Sequence, residues 1–388
     1  MIGCPLLLAG VVLLSACSKD STEEPVPEQP QTAISFTSGL QSEVEETRAG
    51  ERGLEDVMTG EKKFQLFGYK NDAYEAPNYT SYQVVMPNFN VRWIANSAYT
   101  TTTNTNDWEY VGQGTDQTIK YWDFSAKAYR FFGYALGNAT ASPATNPAAV
   151  TTSSFPTEST STQTAVTFTT TVDASSDATI AAAPYFSRLW FSTGDATAYP
   201  DRQFGQPVQL QFLKPFARVR FMFTFAEGLG FGREALKNIK FRPTVNADAN
   251  ATNDQQIVTA GTVTVSYPLT GTETTETWTT SAATGSVSLF DIDYYENTPT
   301  MTYGANPEKW YTVLPVSTQG TYTVEVSVVT EELKSVVVPA EYMSWKAGYE
   351  YTYKFKITEG GGITMEIIQV AINDWSNRQS SDHTVYNW

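Results

Sequence analysis

The sequence predicts an all-β protein, and three observations carry that prediction. Short runs rich in β-branched and aromatic residues recur along the chain, several of them alternate apolar and polar residues with period two, and helical periodicity is scarce. Phe64 to Tyr69, Tyr129 to Tyr134, Val208 to Phe212 and Tyr322 to Val328 are the compact runs. Ala217, Val219, Phe221, Phe223 and Phe225 fall on one face of a strand, with Arg218, Arg220 and Thr224 on the other. Tyr349, Tyr351, Tyr353, Phe355 and Ile357 repeat the pattern against Glu350, Lys354 and Lys356. One buried and one wetted face is the pattern of antiparallel sandwiches. Only Gly232 to Ile239 reads as a short helix, a crossover between strands.

The length of 388 residues suggests two or three domains. Residues 138–183 are dominated by Thr, Ser and Ala and interrupted by Pro143, Pro147 and Pro156. They read as a long surface loop with one threonine-rich edge strand at Ala165 to Val172. A second stretch of low hydrophobicity, Asp195 to Gln206, places the boundary near Gly205, giving domains 33–205 and 206–388. No short tandem period of the solenoid or propeller kind is present.

Composition removes several function classes. Forty-one acidic residues against 25 basic ones, a net charge of −16, argue against a nucleic-acid partner, which requires a basic face. A single histidine, His383, and two cysteines, Cys4 and Cys17, are too few for a zinc, haem or iron–sulfur site, and nothing calls for a cofactor. Both cysteines lie in the N-terminal leader, so disulfide stapling is excluded as well.

That leader has its own logic. Ile2 to Ala16 is mostly apolar, shorter than the roughly 20 residues that span a bilayer but long enough for a signal core. It ends in Leu14-Ser15-Ala16-Cys17, which resembles a bacterial lipobox, so residues 1–16 are the expected signal peptide and Cys17 the lipidation site. The bland alternative is an ordinary secretory signal that contains a cysteine. No Lys or Arg precedes the apolar run, which leaves an upstream start codon open. Residues 17–32 follow as an acidic, proline-spaced tether (SKDSTEE, then EEPVPEQPQ), similar to that of surface-exported lipoproteins of the Bacteroidota. Several acyl chains on Cys17 would hold the protein stably at the outer membrane.

Candidate catalytic signals are weak. Gly228-Leu229-Gly230-Phe231-Gly232 has its third glycine one residue early for a dinucleotide loop and no surrounding βαβ unit, so a turn explains it better. Asp248, Asn250, Thr252 and Asp254 alternate like a calcium loop but lack its glycine and its bidentate glutamate. Asp291 and Asp293 share one strand face, more often a solvated face than an acid–base pair. His383 lies within the last six residues, a poor place for a buried base, so the reading is not an enzyme. Trp93, Trp108, Trp122, Trp278, Trp310 and Trp345 could supply stacking platforms for a sugar, although burial is the commoner fate of strand tryptophans.

The order of aromatic strands is more specific than any one of them. Lys63-Phe-Gln-Leu-Phe-Gly-Tyr69 is followed by Trp108-Glu-Tyr-Val111, Ile119-Lys-Tyr-Trp-Asp123 and Tyr129-Arg-Phe-Phe-Gly-Tyr-Ala135. The second half continues with Val208-Gln-Leu-Gln-Phe212, Phe216-Ala-Arg-Val-Arg-Phe221 and Trp345 to Phe355 ahead of Asp374-Trp375. Over residues 33–376 the chain resembles the fimbrillin-like (Mfa-like) family of Bacteroidales, which builds type V pili. That resemblance implies two transthyretin-like antiparallel β-sandwich domains, export as a lipoprotein, and removal of the first strand by an arginine-specific protease. It also implies β-strand addition from a neighbouring fimbrial subunit into the opened groove, in support of adhesion at the cell surface.

The residues offer counterparts for each step. Ala33-Ile34-Ser35-Phe36 alternates like a short first strand. QSEVEETRAGERG (41–53) is polar and open to proteolysis, and within it Arg48 and Ala49 match the family's cleavage position, with Arg52 the competitor. Ile363, Met365 and Ile367, with Val370 and Ile372 beyond, are the donor-strand candidates, though the same segment could be a last strand folded on its own domain. A monomeric surface lipoprotein that binds a glycan or host ligand is the alternative function.

Overall fold

A computed structural model describes residues 32–40, 53–72, 79–94, 108–141, 144–159, 162–225, 236–243, 259–282, 290–291, 311–317, 322–328, 332–338, 344–357 and 363–371. In chain order these form β1 (Phe36–Leu40), α1 (Leu54–Val57), β2 (Lys63–Asn71), β3 (Gln83–Trp93), β4 (Trp108–Glu109), β5 (Ala128–Ala135), β6 (Thr140–Ala141), β7 (Ala144–Thr145), β8 (Thr151–Thr152), β9 (Ala165–Asp173), α2 (Asp177–Ala182), β10 (Tyr185–Ser187), β11 (Trp190–Ser192) and β12 (Val208–Leu213). There follow β13 (Ala217–Phe225), β14 (Leu236–Pro243), β15 (Ala260–Pro268), β16 (Thr277–Ala282), β17 (Phe290–Asp291), β18 (Tyr311–Val313), β19 (Val316–Ser317), β20 (Tyr322–Val328), β21 (Glu332–Val338), β22 (Ser344–Trp345), β23 (Tyr349–Ile357) and β24 (Ile363–Ala371). The fold is all-β apart from the two short helices among the described residues.

An eight-stranded sheet runs β1-β12-β10-β5-β2-β3-β4, with β11 also on β5. A four-stranded sheet, β16-β15-β9-β8, packs against it. Two further four-stranded sheets, β18-β13-β23-β24 and β17-β14-β20-β21, come from the second half. The two halves of the chain are interleaved: β12 joins β1 and β10, and the β15–β16 hairpin joins β9.

The large sheet buries both faces, which explains why β5 reads as a continuous apolar run rather than an alternating one. Tyr129 and Phe131 enter a cluster with Ile34, Phe36, Trp108, Tyr110, Trp122 and Phe212. Ala128 and Phe132 face the opposite way, toward Phe168, Val263, Val265 and Tyr267 of the covering sheet. The Phe132 and Tyr267 rings stack at 4.3 Å across that interface. Gly133 is required by close approach, since a Cβ there would meet the Gln65 carbonyl oxygen of β2 at 2.1 Å.

Three expectations need correction. Leu236 to Ile239 is strand, not helix, because β14 pairs antiparallel with β20. A register shift between Lys237 and Lys240 breaks the period of two and leaves Leu236 and Ile239 at a spacing that imitates a helix face. The threonine-rich strand β9 is interior rather than an edge, paired with β8 on one side and β15 on the other, and Phe168 is fully buried. Two ladders are parallel, β1 with β12 and β13 with β23, a pairing made feasible by the long connections between them.

Candidate functional site

The first strand sits in a slot with two walls. On one side Phe36–Leu40 runs parallel to β12, Phe36 opposite Val208 and Leu40 opposite Phe212. On the other side the residues just before it run antiparallel to residues 120–122. Ile34 N donates to Lys120 O at 2.8 Å, Trp122 N donates to Thr32 O at 2.9 Å, and Ala33 bridges to Tyr121. Ile34 and Phe36 are both fully buried, as the sequence suggested, but Ser35 between them is buried as well, so the segment does not alternate between core and solvent. Phe36 meets Tyr110 and Phe131 edge-to-face at 5.9 and 5.5 Å.

Hydroxyl groups hold the strand. The Tyr110 hydroxyl accepts from Lys120 N at 3.0 Å and donates to Ile34 O at 3.1 Å. Burial pushes the Tyr110 phenol up to about 12, against a lesser opposing pull from the Lys120 backbone, so it stays protonated as a donor. Ser38 Oγ accepts from Leu54 N at 3.1 Å and donates to Glu55 Oε2 at 2.8 Å, and Trp108 Nε1 donates to the same carboxylate oxygen at 3.2 Å. The strand is thereby latched to α1, the element that follows it across residues 41–52.

Both walls are fixed by contacts that do not involve the strand. In the 120–125 turn, Lys70 Nζ lies 2.5 Å from Asp123 Oδ2 and Asp123 N donates to Tyr129 Oη at 2.8 Å. The Lys70 bond, with help from Ser125, holds the Asp123 carboxyl down at about 2. Beyond β12, the fully buried Lys214 ammonium donates to the carbonyls of Ala181, at 2.9 Å, and Ala183, and stands 4.0 Å from the Tyr185 ring centroid. Burial moves the lysine well below its ordinary range. None of these contacts depends on the strand.

Of the predicted site residues, Cys17, Arg48, Ala49 and Ile372 lie outside the described residues, as do Arg52 and His383. So do Gly228 to Gly232, Asp248, Asn250, Thr252, Asp254, Asp293 and Trp310. Ile363, Met365, Ile367 and Val370 fall in β24, an end strand of its sheet, with Met365 opposite Phe355 and Ile367 opposite Tyr353. Asp291 stands opposite Lys240 in the β14–β17 ladder. Trp108, Trp122 and Trp345 are buried, whereas Trp93 and Trp278 are half-buried. The exposed aromatics among the described residues are Tyr121 and Phe124, at 42% and 57%. Sequence reasoning missed Ser38, Glu55 and Tyr110 as latch residues, because their roles depend on partners far along the chain.

No family model and no curated relative matches the chain. Solved structures do. A structure described as a cell adhesion protein of Bacteroides uniformis is 12% identical, with a TM-score of 0.37 over 88% of this chain and 99% of its own. The fimbrial anchor protein Mfa2 of Porphyromonas gingivalis is 11% identical, with a TM-score of 0.29 over 89% and 99%. A fimbrial assembly protein of Parabacteroides distasonis is 10% identical, with a TM-score of 0.28 over 80% and 88%.

Proposed function

We propose that this chain is a fimbrial or adhesin-type subunit of the cell surface, matured by loss of its first strand and assembled by strand exchange. The observation that carries the reading is the parallel end strand β1. Phe36 and, just before the strand, Ile34 fill a slot with independently fixed walls, and the link to the rest of the chain, 41–52, contains Arg48. Cutting between Arg48 and Ala49 would free Ile34 and Phe36 to leave. It would also release the protein from the lipid on Cys17 that holds it at the outer membrane. Burying two such side chains contributes about 1.5–3 kcal/mol each, so an empty slot is a strong acceptor for another apolar strand.

The geometry restricts what enters. A strand that reproduces the present pairing runs parallel to β12 and antiparallel to residues 120–122, with apolar residues two apart where Ile34 and Phe36 now sit. In this reading residues 33–205, completed by β12 and the β15–β16 hairpin, form the acceptor unit. The segment from Ile363 through Ile372 is the candidate donor and must detach from β23 to serve. The subunit works without catalysis or cofactor, and its partners are other fimbrial subunits.

Treating the purified precursor with an arginine-specific protease tests this directly. Ladders that survive mild heating in detergent are expected, and a chain that stays monomeric after cleavage at Arg48 excludes the reading. The exposed pair Tyr121 and Phe124 favours one second reading, a monomeric surface lipoprotein that stacks a glycan on these rings. A glycan array with the mature protein separates the two.

A further inference from the structure

The covering sheet has an unusual outer surface. Its inner side supplies Phe168, Val263, Val265 and Tyr267 to the core, so the alternate residues of each strand point outward. One row crosses the whole sheet in register as Thr151, Thr169, Thr264 and Thr279. The rows on either side also carry threonine or serine on β9, β15 and β16. Neighbouring hydroxyls touch: Thr169 Oγ1 lies 3.2 Å from Thr264 Oγ1, and Thr171 Oγ1 lies 3.5 Å from Thr262 Oγ1. The one ionisable group among the outward residues of these strands is Asp173, at the end of β9, where it accepts from Ser175 N and Oγ at 2.8 Å.

We propose that this hydroxyl-paved face is a self-association surface, on which a second copy of this chain docks by the same face. Two arguments select that occupant. A hydroxyl both donates and accepts at one atom, so a surface made of hydroxyls is complementary to itself and needs no partner of opposite character. The chain also carries a net charge of −16, and this neutral face is where two acidic copies approach without placing like charges together. The paved area is about 14 by 14 Å from strand spacing and rise, small against the roughly 800 Å² per partner of a stable complex. An isolated pair is therefore held weakly, and the contact gains strength wherever many copies are arrayed side by side. This inference does not depend on strand exchange.

Cysteine trapping tests it in the full chain with Cys4 and Cys17 replaced by serine, which leaves no other thiol. Thr169→Cys, Thr264→Cys and Thr279→Cys are compared one at a time with Thr115→Cys, an exposed threonine away from the sheet. Under mild oxidation at least one of the three is expected to form disulfide-linked dimers on the order of tenfold faster than the Thr115 control, reflecting a raised local concentration. Adding Thr262→Lys to that variant should return its rate to the control's. Equal rates at all four positions overturn the proposal, as does a fast rate that Thr262→Lys leaves unchanged.

Discussion

Two segments reach the central sandwich from far along the chain, and they are fastened in opposite ways. The first strand adds to β12 through five register pairs and is held by apolar side chains and hydroxyls, with no ion pair of its own among the described residues, although Ser38 donates to the Glu55 carboxylate. The β15–β16 hairpin adds to β9 through nine and is fastened by charge. Glu276 accepts from Arg188 Nη1 at 2.6 Å and from Leu189 N at 2.9 Å. At the hairpin turn, buried Arg130 donates to Gly271 O at 2.9 Å, while its guanidinium lies 4.6 Å from the Phe191 ring centroid. Burial lowers Arg130 to about 10, which still leaves it charged at neutral pH. Backbone ladders and apolar knobs can be supplied by any suitable strand, whereas a buried ion pair needs its own partner. In the proposed function the first segment would therefore be the exchangeable one and the hairpin would stay in place.

The strongest way to break that comparison is Phe36→Ala. Truncating a fully buried phenylalanine costs about 3–5 kcal/mol, and the loss should stay local. Hydrogen exchange should speed up at the Val208 and Trp122 amides, which face the strand, while the β9–β15 ladder keeps its protection. Loss of protection in both places would mean that the first strand is not a separable unit.

Glu276→Gln probes the other side. The expected cost is about 3 kcal/mol, the low end for breaking a buried pair because Arg188 is partly open to water. A urea titration should show a lower midpoint with both ladders melting together. Burial alone would raise the Glu276 carboxyl, but the Arg188 charge and the Leu189 amide outweigh it and hold the group below its ordinary value. Its contribution is therefore present above the ordinary carboxylate range and is lost as pH falls through the lowered folded-state value. The variant should lack that part of the acid dependence.

The smallest effect sharpens the comparison. Ser38→Ala removes one hydroxyl latch, which donates to the Glu55 carboxylate, at about 1.5 kcal/mol. After protease treatment it should speed release of the 32–40 segment without moving the urea midpoint of the remaining body.

What the sequence made legible follows from the same physics. Strands whose partners impose only alternation, such as Ala217–Phe225 and Tyr349–Ile357, can be read from spacing alone. So can the inward pair Ile34 and Phe36. The β9 segment looked like an edge because its covering partner, β15, arrives some ninety residues later, as the Thr169–Thr264 pair separated by 95 positions illustrates. The burial of Arg130 and Glu276 is not legible in the sequence, because burial of an ion is decided by tertiary partners that no local window contains. The Tyr110 latch was hidden for that reason too, although its Trp-Glu-Tyr motif stood out.

Tyr110 also bears on what happens when the slot is idle. Its oxygen lies 3.4 Å from the Lys120 carbonyl, the acceptor that Ile34 N occupies while the strand is present. In the proposed exchange, departure of the strand would take the Ile34 carbonyl away and free that of Lys120 in the same event. A swivel of one hydroxyl torsion lets the phenol exchange one for the other. Vacancy and occupancy would then cost this group the same number of bonds, so a subunit waiting in the proposed way would carry no orphaned phenol at the floor of its groove.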